Sequence, residues 1–178
     1  MSQSLTASKK NLPVGVDGSP QQYLTFSLGG EVFALGILNV KEIIEFGNIT
    51  EIPMMPAFIR GVINLRGAVV PVIDLSARFG GAASTVSRRT CIVIVELGEG
   101  EERQDLGVIV DAVNEVLEIP RADIEPPPTF GAKIRADFIL GMGKVEGRFV
   151  IILNVDRVLS TEEITMLASM SSGGNEEE

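Results

Sequence analysis

The middle of this 178-residue chain is written twice. Phe58-Ile59-Arg60-Gly61 returns as Phe138-Ile139-Leu140-Gly141, and the run 64–75 returns as 144–155, each 80 positions on (138 − 58). Upstream, Val40-Lys41-Glu42-Ile43-Ile44 matches Val113-Asn114-Glu115-Val116-Leu117 at an offset of 73, and Leu28-Gly29 matches Leu97-Gly98 at 69. Glycines recur where turns need them and apolar residues recur at matching positions, so both copies are expected to fold alike. The offset changes in the Glu-rich stretch 98–105 and at Pro126-Pro127-Pro128, where inserted residues cost little. A half of this size would be marginal alone, so the two are expected to pack together and to leave a seam, a usual place for binding.

Within the copies the apolar period is two. Leu24, Phe26 and Leu28 alternate with Tyr23, Thr25 and Ser27, the pattern of a half-buried strand, and Gly29-Gly30 turns it back into 32–35. Strands are expected at 40–45, 62–65 and 69–75, with the turn Arg66-Gly67 between the last two and Pro71 at an edge or bulge. The second copy repeats the series at 92–95, 106–110, 113–119, around Gly141 and at 149–155, in runs continuous enough to suggest burial on both faces. Ser160-Thr161-Glu162-Glu163 fits a capping box, with Ser160 as N-cap, opening a C-terminal helix to about Met170 with Ile164, Leu167 and Ala168 on one face. The expected fold is mostly β: two small five-stranded barrels related by internal duplication, with a C-terminal α-helix. The expected divisions are a leader at 1–20, a first half at 21–87, a second half at 88–169 and an acidic tail at 170–178, with terminal strands free to cross between halves.

Composition narrows the chemistry. The chain has no histidine, which removes the commonest general base and metal ligand. Its net charge of −9 disfavours nucleic acid and anionic lipid, and the basic pair Arg88-Arg89 between the halves reads as a solvated linker. No apolar run approaches the ~20 residues of a membrane helix, and the leader lacks a signal peptide's apolar stretch, so a cytoplasmic protein is expected. The single cysteine, Cys91, precludes an internal disulfide and reads as a small core residue.

The candidate motifs mostly resolve into structure. In 141–147, Glu146 stands where a dinucleotide fingerprint needs glycine, and Val145 stands where a phosphate loop needs Ser or Thr, which leaves a hairpin turn. Asp74 and Asn154 are repeat mates, yet neither is followed by the Thr/Ser-Gly of paired-aspartate proteases, so helix capping or strand-end hydrogen bonding is expected of both. Glu99, Glu101 and Glu102 could be imagined around a metal, but a charged loop is normally solvated. No catalytic residue, cofactor or metal is expected. What remains is apolar residues where turns are usually polar: Ile37, Leu38, Val40 and the pair Met54-Met55, which either plug the barrel ends and seam or form a binding surface.

The run 56–67, followed by 69–75, and the segments 37–43 and 107–113 closely resemble the CheW family of bacterial chemotaxis coupling proteins, and the resemblance covers about 22–168. It implies two SH3-like barrels around a shared apolar core. It also implies a non-catalytic adaptor, recruited to membrane-associated receptor arrays, that couples the cytoplasmic tip of transmembrane chemoreceptors to the regulatory domain of the histidine kinase CheA. Carried over, it makes Ile37, Val40, Ile43, Gly61, Val113 and Val116 receptor- or kinase-facing, and Glu42 with Arg66 a structural ion pair that steers the hairpin. On that footing Val40→Glu should leave the fold intact and abolish docking, and breaking the ion pair should be costly if it is partly buried. The alternatives are an adaptor module of another chemosensory kinase pathway, the regulatory module of a larger kinase, or a duplicated-barrel hydrolase.

Overall fold

Three hairpins are closed by two-residue turns in which both residues are left-handed: Gly29-Gly30 (φ 61° and 85°), Arg66-Gly67 (53° and 89°) and Glu146-Gly147 (52° and 80°). Turns of this hand match the twist of the strands they join, and glycine takes the second position at no steric cost. The computed structural model describes residues 21–98, 100–127 and 138–159. Its strands are β1 (Gln21–Leu28), β2 (Glu31–Gly36), β3 (Val40–Glu45), β4 (Ile59–Leu65), β5 (Ala68–Asp74), β6 (Cys91–Leu97), β7 (Gln104–Val110), β8 (Ala112–Ile119), β9 (Ile124–Glu125), β10 (Ile139–Val145) and β11 (Arg148–Leu153). Two one-turn helices, α1 (Leu75–Arg78) and α2 (Val155–Val158), follow β5 and β11. The C-terminal helix expected from Ser160, the leader and the acidic tail lie outside the described residues.

The sheets are not the two sequence halves. One has the order β3-β6-β7-β5-β4, the other β8-β1-β2-β11-β10-β9, so the first hairpin of each copy pairs with the later strands of the other copy. Each sheet then closes on itself: a Thr50↔Val62 bridge joins the chain after β3 to β4, and β9 joins the chain after β8 to β10. We call the β3–β7 sheet barrel 1 and the other barrel 2.

The duplication is visible in register. Val40 faces Val95 as its mate Val113 faces Phe26, and Ile43 faces Val93 as Val116 faces Leu24. Both long hairpins carry a bulge at the same place, after Ile59 and after Ile139. The offset grows from 69 to 73 because the two-residue turn after β1 becomes the six residues 98–103 after β6.

The core has three parts. Each barrel is filled from within, barrel 1 by Ile63, Val70, Val72, Ile92, Ile94 and Ile109, barrel 2 by Tyr23, Ala34, Ile119, Val150 and Ile152. Between them lies a larger shared cluster, to which β1 gives Leu24, Phe26 and Leu28 and β6 gives Val93, Val95 and Leu97. Phe26, Phe33, Phe79 and Phe138 run through it with ring centroids 5.7–6.0 Å apart. Aromatic rings at that spacing add attraction beyond the area they bury.

This arrangement corrects several sequence expectations. β1 is not half-buried: Tyr23 and Thr25 are as buried as Leu24 and Phe26, because one face lines a barrel and the other the seam. β6 and β7 are buried on both faces for the same reason, but β8 is exposed at Asn114, Glu115, Val116 and Glu118. β5 is an interior strand rather than an edge, yet its parallel ladder with β7 begins only at Val72, so Pro71 sits where a missing N–H takes nothing from that ladder. Leu75 and Val155 belong to helices rather than strands: the Asp74 side chain accepts from the N–H groups of Ser76 and Ala77 and caps α1, whereas the Asn154 side chain makes no capping bond. Cys91 is half-buried and donates weakly to the Arg89 carbonyl at 3.4 Å.

Candidate partner-docking site

The residues nominated for docking fall into two sets. Ile37, on the short 3₁₀ turn Ile37–Asn39 before β3, is half-buried with Val40 and Val113, and all three pack against the shared core. Their apolar character is needed by the seam itself. Ile43 and Val116 instead point outward, 42% and 47% exposed, from the equivalent positions of β3 and β8. They are repeat mates, so each barrel presents one exposed β-branched residue on one strand at the same register. Leu38 is exposed beside Ile37, and Met54 is exposed between prolines at φ 65°.

Gly61 is buried and has no side chain to offer. It sits at φ 151° after the bulge of β4, where an added Cβ would run into the Thr50 carbonyl and lie 2.8 Å from Ile49 Cγ2. At its mate Gly141 an added Cβ would lie 2.6 Å from Ile124 Cγ2 and 3.0 Å from the Glu125 carbonyl. Both glycines therefore stand at the closure of their barrels, and the place of Gly61 is steric.

Sequence reasoning missed Val69 (71% exposed) and Phe149 (51%), which are also repeat mates. Both follow the tight turns, within the stretches 69–75 and 149–155 expected as strand. The signal was their cross-strand partners, Asn64 and Lys144, whose polarity marks an outward face.

Charge is organised differently on the two barrels. Arg66, at the β4–β5 turn, reaches β3 with two hydrogen bonds to the Glu42 carboxylate, 2.6 and 2.8 Å, in a bidentate pair. The arginine's hydrogen bond holds the Glu42 carboxyl below its ordinary range, and Glu42 in turn raises Arg66. The Arg66 side chain is 69% exposed, so this is a surface pair that ties a hairpin to a strand rather than a buried one. Beside it, Lys41 donates to Asp105 at 2.8 Å, a bond that raises the lysine.

Asp74 is fully buried and fully used. It takes Arg60 Nη1 at 2.9 Å, the Ser84 hydroxyl at 2.8 Å and the Ser84 N–H at 2.9 Å, besides capping α1. Every acceptor direction of this carboxylate is committed to holding strand, helix and following loop together, as the capping reading anticipated. Of the Glu-rich loop, Arg103 meets Glu96 at 3.5 Å, and among the described residues no group of three acidic, His or Cys side chains could hold a metal.

A family model for the CheW-like domain matches residues 22–163. The chain belongs to the CheW-like family. A chemotaxis protein CheW from Klebsiella aerogenes is 32% identical over 151 residues, covering 85% of this chain and 89% of the relative. One from Rhizobium meliloti is 34% identical over 80% of this chain and 90% of the relative, and protein FrzA of Myxococcus xanthus is 32% identical over 79% and 86%. Among solved structures, scaffolding protein TtCheW from Thermoanaerobacter tengcongensis superposes with a TM-score of 0.70 at 41% identity, covering 78% of this chain and 87% of that one. For a CheW-like chain the outward Ile43 and Val116 are thus the docking candidates that the fold does not already need, whereas Ile37, Val40 and Val113 serve the seam first.

Proposed function

We propose that this chain is a non-catalytic scaffold of chemotaxis signalling that holds the cytoplasmic tip of a chemoreceptor and the regulatory domain of the kinase CheA at a set mutual orientation. Family membership and the scaffolding and chemotaxis names of its relatives support the class of function. The observation that carries the two-partner reading is the matched pair Ile43 and Val116: two exposed apolar residues, one per barrel, on a body whose shared core fixes the barrels against each other. Apolar groups on rigid strands bind with little ordering cost. Among the described residues no helix is long and apolar enough to cross a membrane, so placement at a receptor array would come through the receptor.

The test is a ternary complex. The purified chain, a receptor signalling-tip fragment and the isolated CheA regulatory domain are mixed and resolved by size-exclusion chromatography with light scattering. One particle containing all three supports the scaffold. A folded chain that binds neither protein, or whose two partners displace each other, overturns it.

A further inference from the structure

The two barrels present the same backbone and equivalent apolar residues but opposite demands for charge. In barrel 1 the Glu42 carboxylate is already neutralised by Arg66, and Lys41 is paired with Asp105. The repeat mates of Lys41, Glu42, Glu45 and Arg66 are Asn114, Glu115, Glu118 and Glu146, so the place of the guanidinium is taken by a third carboxylate. All four mates are exposed, and three of them, Asn114, Glu115 and Glu118, share β8 with Val116. Among the described residues neither Glu115 nor Glu146 has an ion-pair partner: Lys144 goes to Glu125 at 3.4 Å, and no ion pair joins Arg148 to either.

The Glu115 backbone is also fixed in space. The buried Thr25 hydroxyl donates to the Glu115 carbonyl at 2.7 Å and accepts from its N–H at 3.2 Å, which pins the irregular register between β1 and β8. Glu146 occupies the same left-handed turn position as Arg66, φ 52° against 53°. Both glutamates are therefore anchored through their backbones, and like charges left unpaired on a protein of net charge −9 favour a cation that arrives from outside.

We infer that the β8 face of barrel 2 docks a partner segment bearing an arginine or lysine beside an apolar side chain, the apolar group over Val116 and the cation between Glu115 and Glu146, where Arg66 sits in barrel 1. The inference rests on the scaffold reading and adds to it: broken charge symmetry sends two equivalent barrels to two different proteins. On the β3 face the corresponding place beside Glu42 is already taken by Arg66.

Glu146→Arg builds into barrel 2 the pair that barrel 1 already has, at a turn position that tolerates arginine. Binding of the receptor-tip fragment and of the CheA regulatory domain is measured separately by isothermal titration at roughly 50 and 300 mM salt. The variant, folded by circular dichroism, is expected to lose affinity for one of the two by about tenfold and to lose that interaction's salt dependence. The other interaction should not change. The double variant Glu115→Gln/Glu146→Gln should weaken the same interaction less and flatten its salt dependence equally. Unchanged affinities in both variants, or wild-type binding indifferent to salt, overturn the inference alone. A wild-type chain that binds neither protein overturns the scaffold reading and this inference with it.

Discussion

Arg78 donates its Nε–H to the main-chain carbonyl of Val158 at 2.9 Å, and the two residues are repeat mates, 80 positions apart. The Arg78 guanidinium also lies 5.0 Å from the ring centroid of Phe58 and 5.1 Å from that of Phe138, which are mates of each other. One arginine from the first copy thus bridges the two phenylalanine mates, and its own mate, Val158, is buried. Two cation–π contacts and a charged hydrogen bond make Arg78 the pin of the seam. Arg78→Ala is expected to lower the unfolding free energy by about 2–3 kcal/mol. Urea unfolding measures it as a shift in midpoint at constant slope, and an unchanged midpoint would contradict the assignment.

The mates Asp74 and Asn154 should answer substitution unequally. Both N–H groups bond the carbonyl of their copy's phenylalanine, Phe58 or Phe138, at 2.7 Å, so the backbone is the same, but only Asp74 carries the side-chain network. Asp74→Asn leaves Arg60 and Ser84 short of acceptors inside the protein and is expected to cost about 2–4 kcal/mol. Asn154→Ala, which removes no capping bond, should cost less than about 1 kcal/mol. Equal costs by thermal or urea unfolding would refute the unequal roles.

What could be read from the chain and what could not follows from which interactions are local. The hairpin turns at Gly29-Gly30 and Arg66-Gly67 and the repeat itself are written in neighbouring residues, and they were legible. That terminal strands could cross between halves is open in the sequence, but which strands exchange was not legible, because a strand's alternation says which face is apolar and nothing about which strand lies beside it. The same gap hid the burial of Tyr23 and Thr25, whose polar groups suggest an outer face until a barrel interior is known to lie there. At the candidate site, apolarity was legible at Val40, Ile43, Val113 and Val116 alike. Only tertiary packing separates the pair the seam consumes from the pair left outside.

Gly61 and Gly141 should behave as closure residues, not contacts. An alanine Cβ at Gly61 meets the Thr50 backbone, which cannot move without opening the Thr50↔Val62 bridge, and φ 151° adds strain. Gly61→Ala is expected to destabilise by about 2–4 kcal/mol. Gly141→Ala should also destabilise, by pressing on Ile124 and Glu125. Hydrogen exchange should localise the Gly61 effect to β3 and β4. A Gly61→Ala chain as stable as wild type that had lost partner binding would reverse this reading.

The Glu42–Arg66 pair gives a pH signature. The Glu42 carboxyl is depressed in the folded chain below its ordinary value of 4.5, chiefly by the arginine's hydrogen bond. Its stabilisation is therefore fully present above that value and is lost as pH falls through the depressed one. The melting-temperature gap between wild type and Glu42→Gln should be constant from neutral pH down to the upper edge of the carboxylate range and should close below it. Salt should narrow it throughout, since the pair is exposed. A gap that widens on acidification would contradict the pairing.

Substitution by glutamate should separate the two kinds of docking candidate. Val40 is half-buried against the shared core and faces Val95, so Val40→Glu buries a charge in the seam and should lower stability as well as binding. That revises the expectation of a folded, binding-deficient variant at this position. Ile43→Glu and Val116→Glu place the charge on surface already exposed and should leave the melting temperature within a few degrees of wild type. Each should nonetheless weaken one partner by about tenfold or more, since a carboxylate at the centre of an apolar contact must be desolvated for docking. Because the two residues lie on different barrels, the partners lost should differ. Loss of the same partner from both variants would mean that one protein spans both barrels, and unchanged binding in both would remove Ile43 and Val116 from the site.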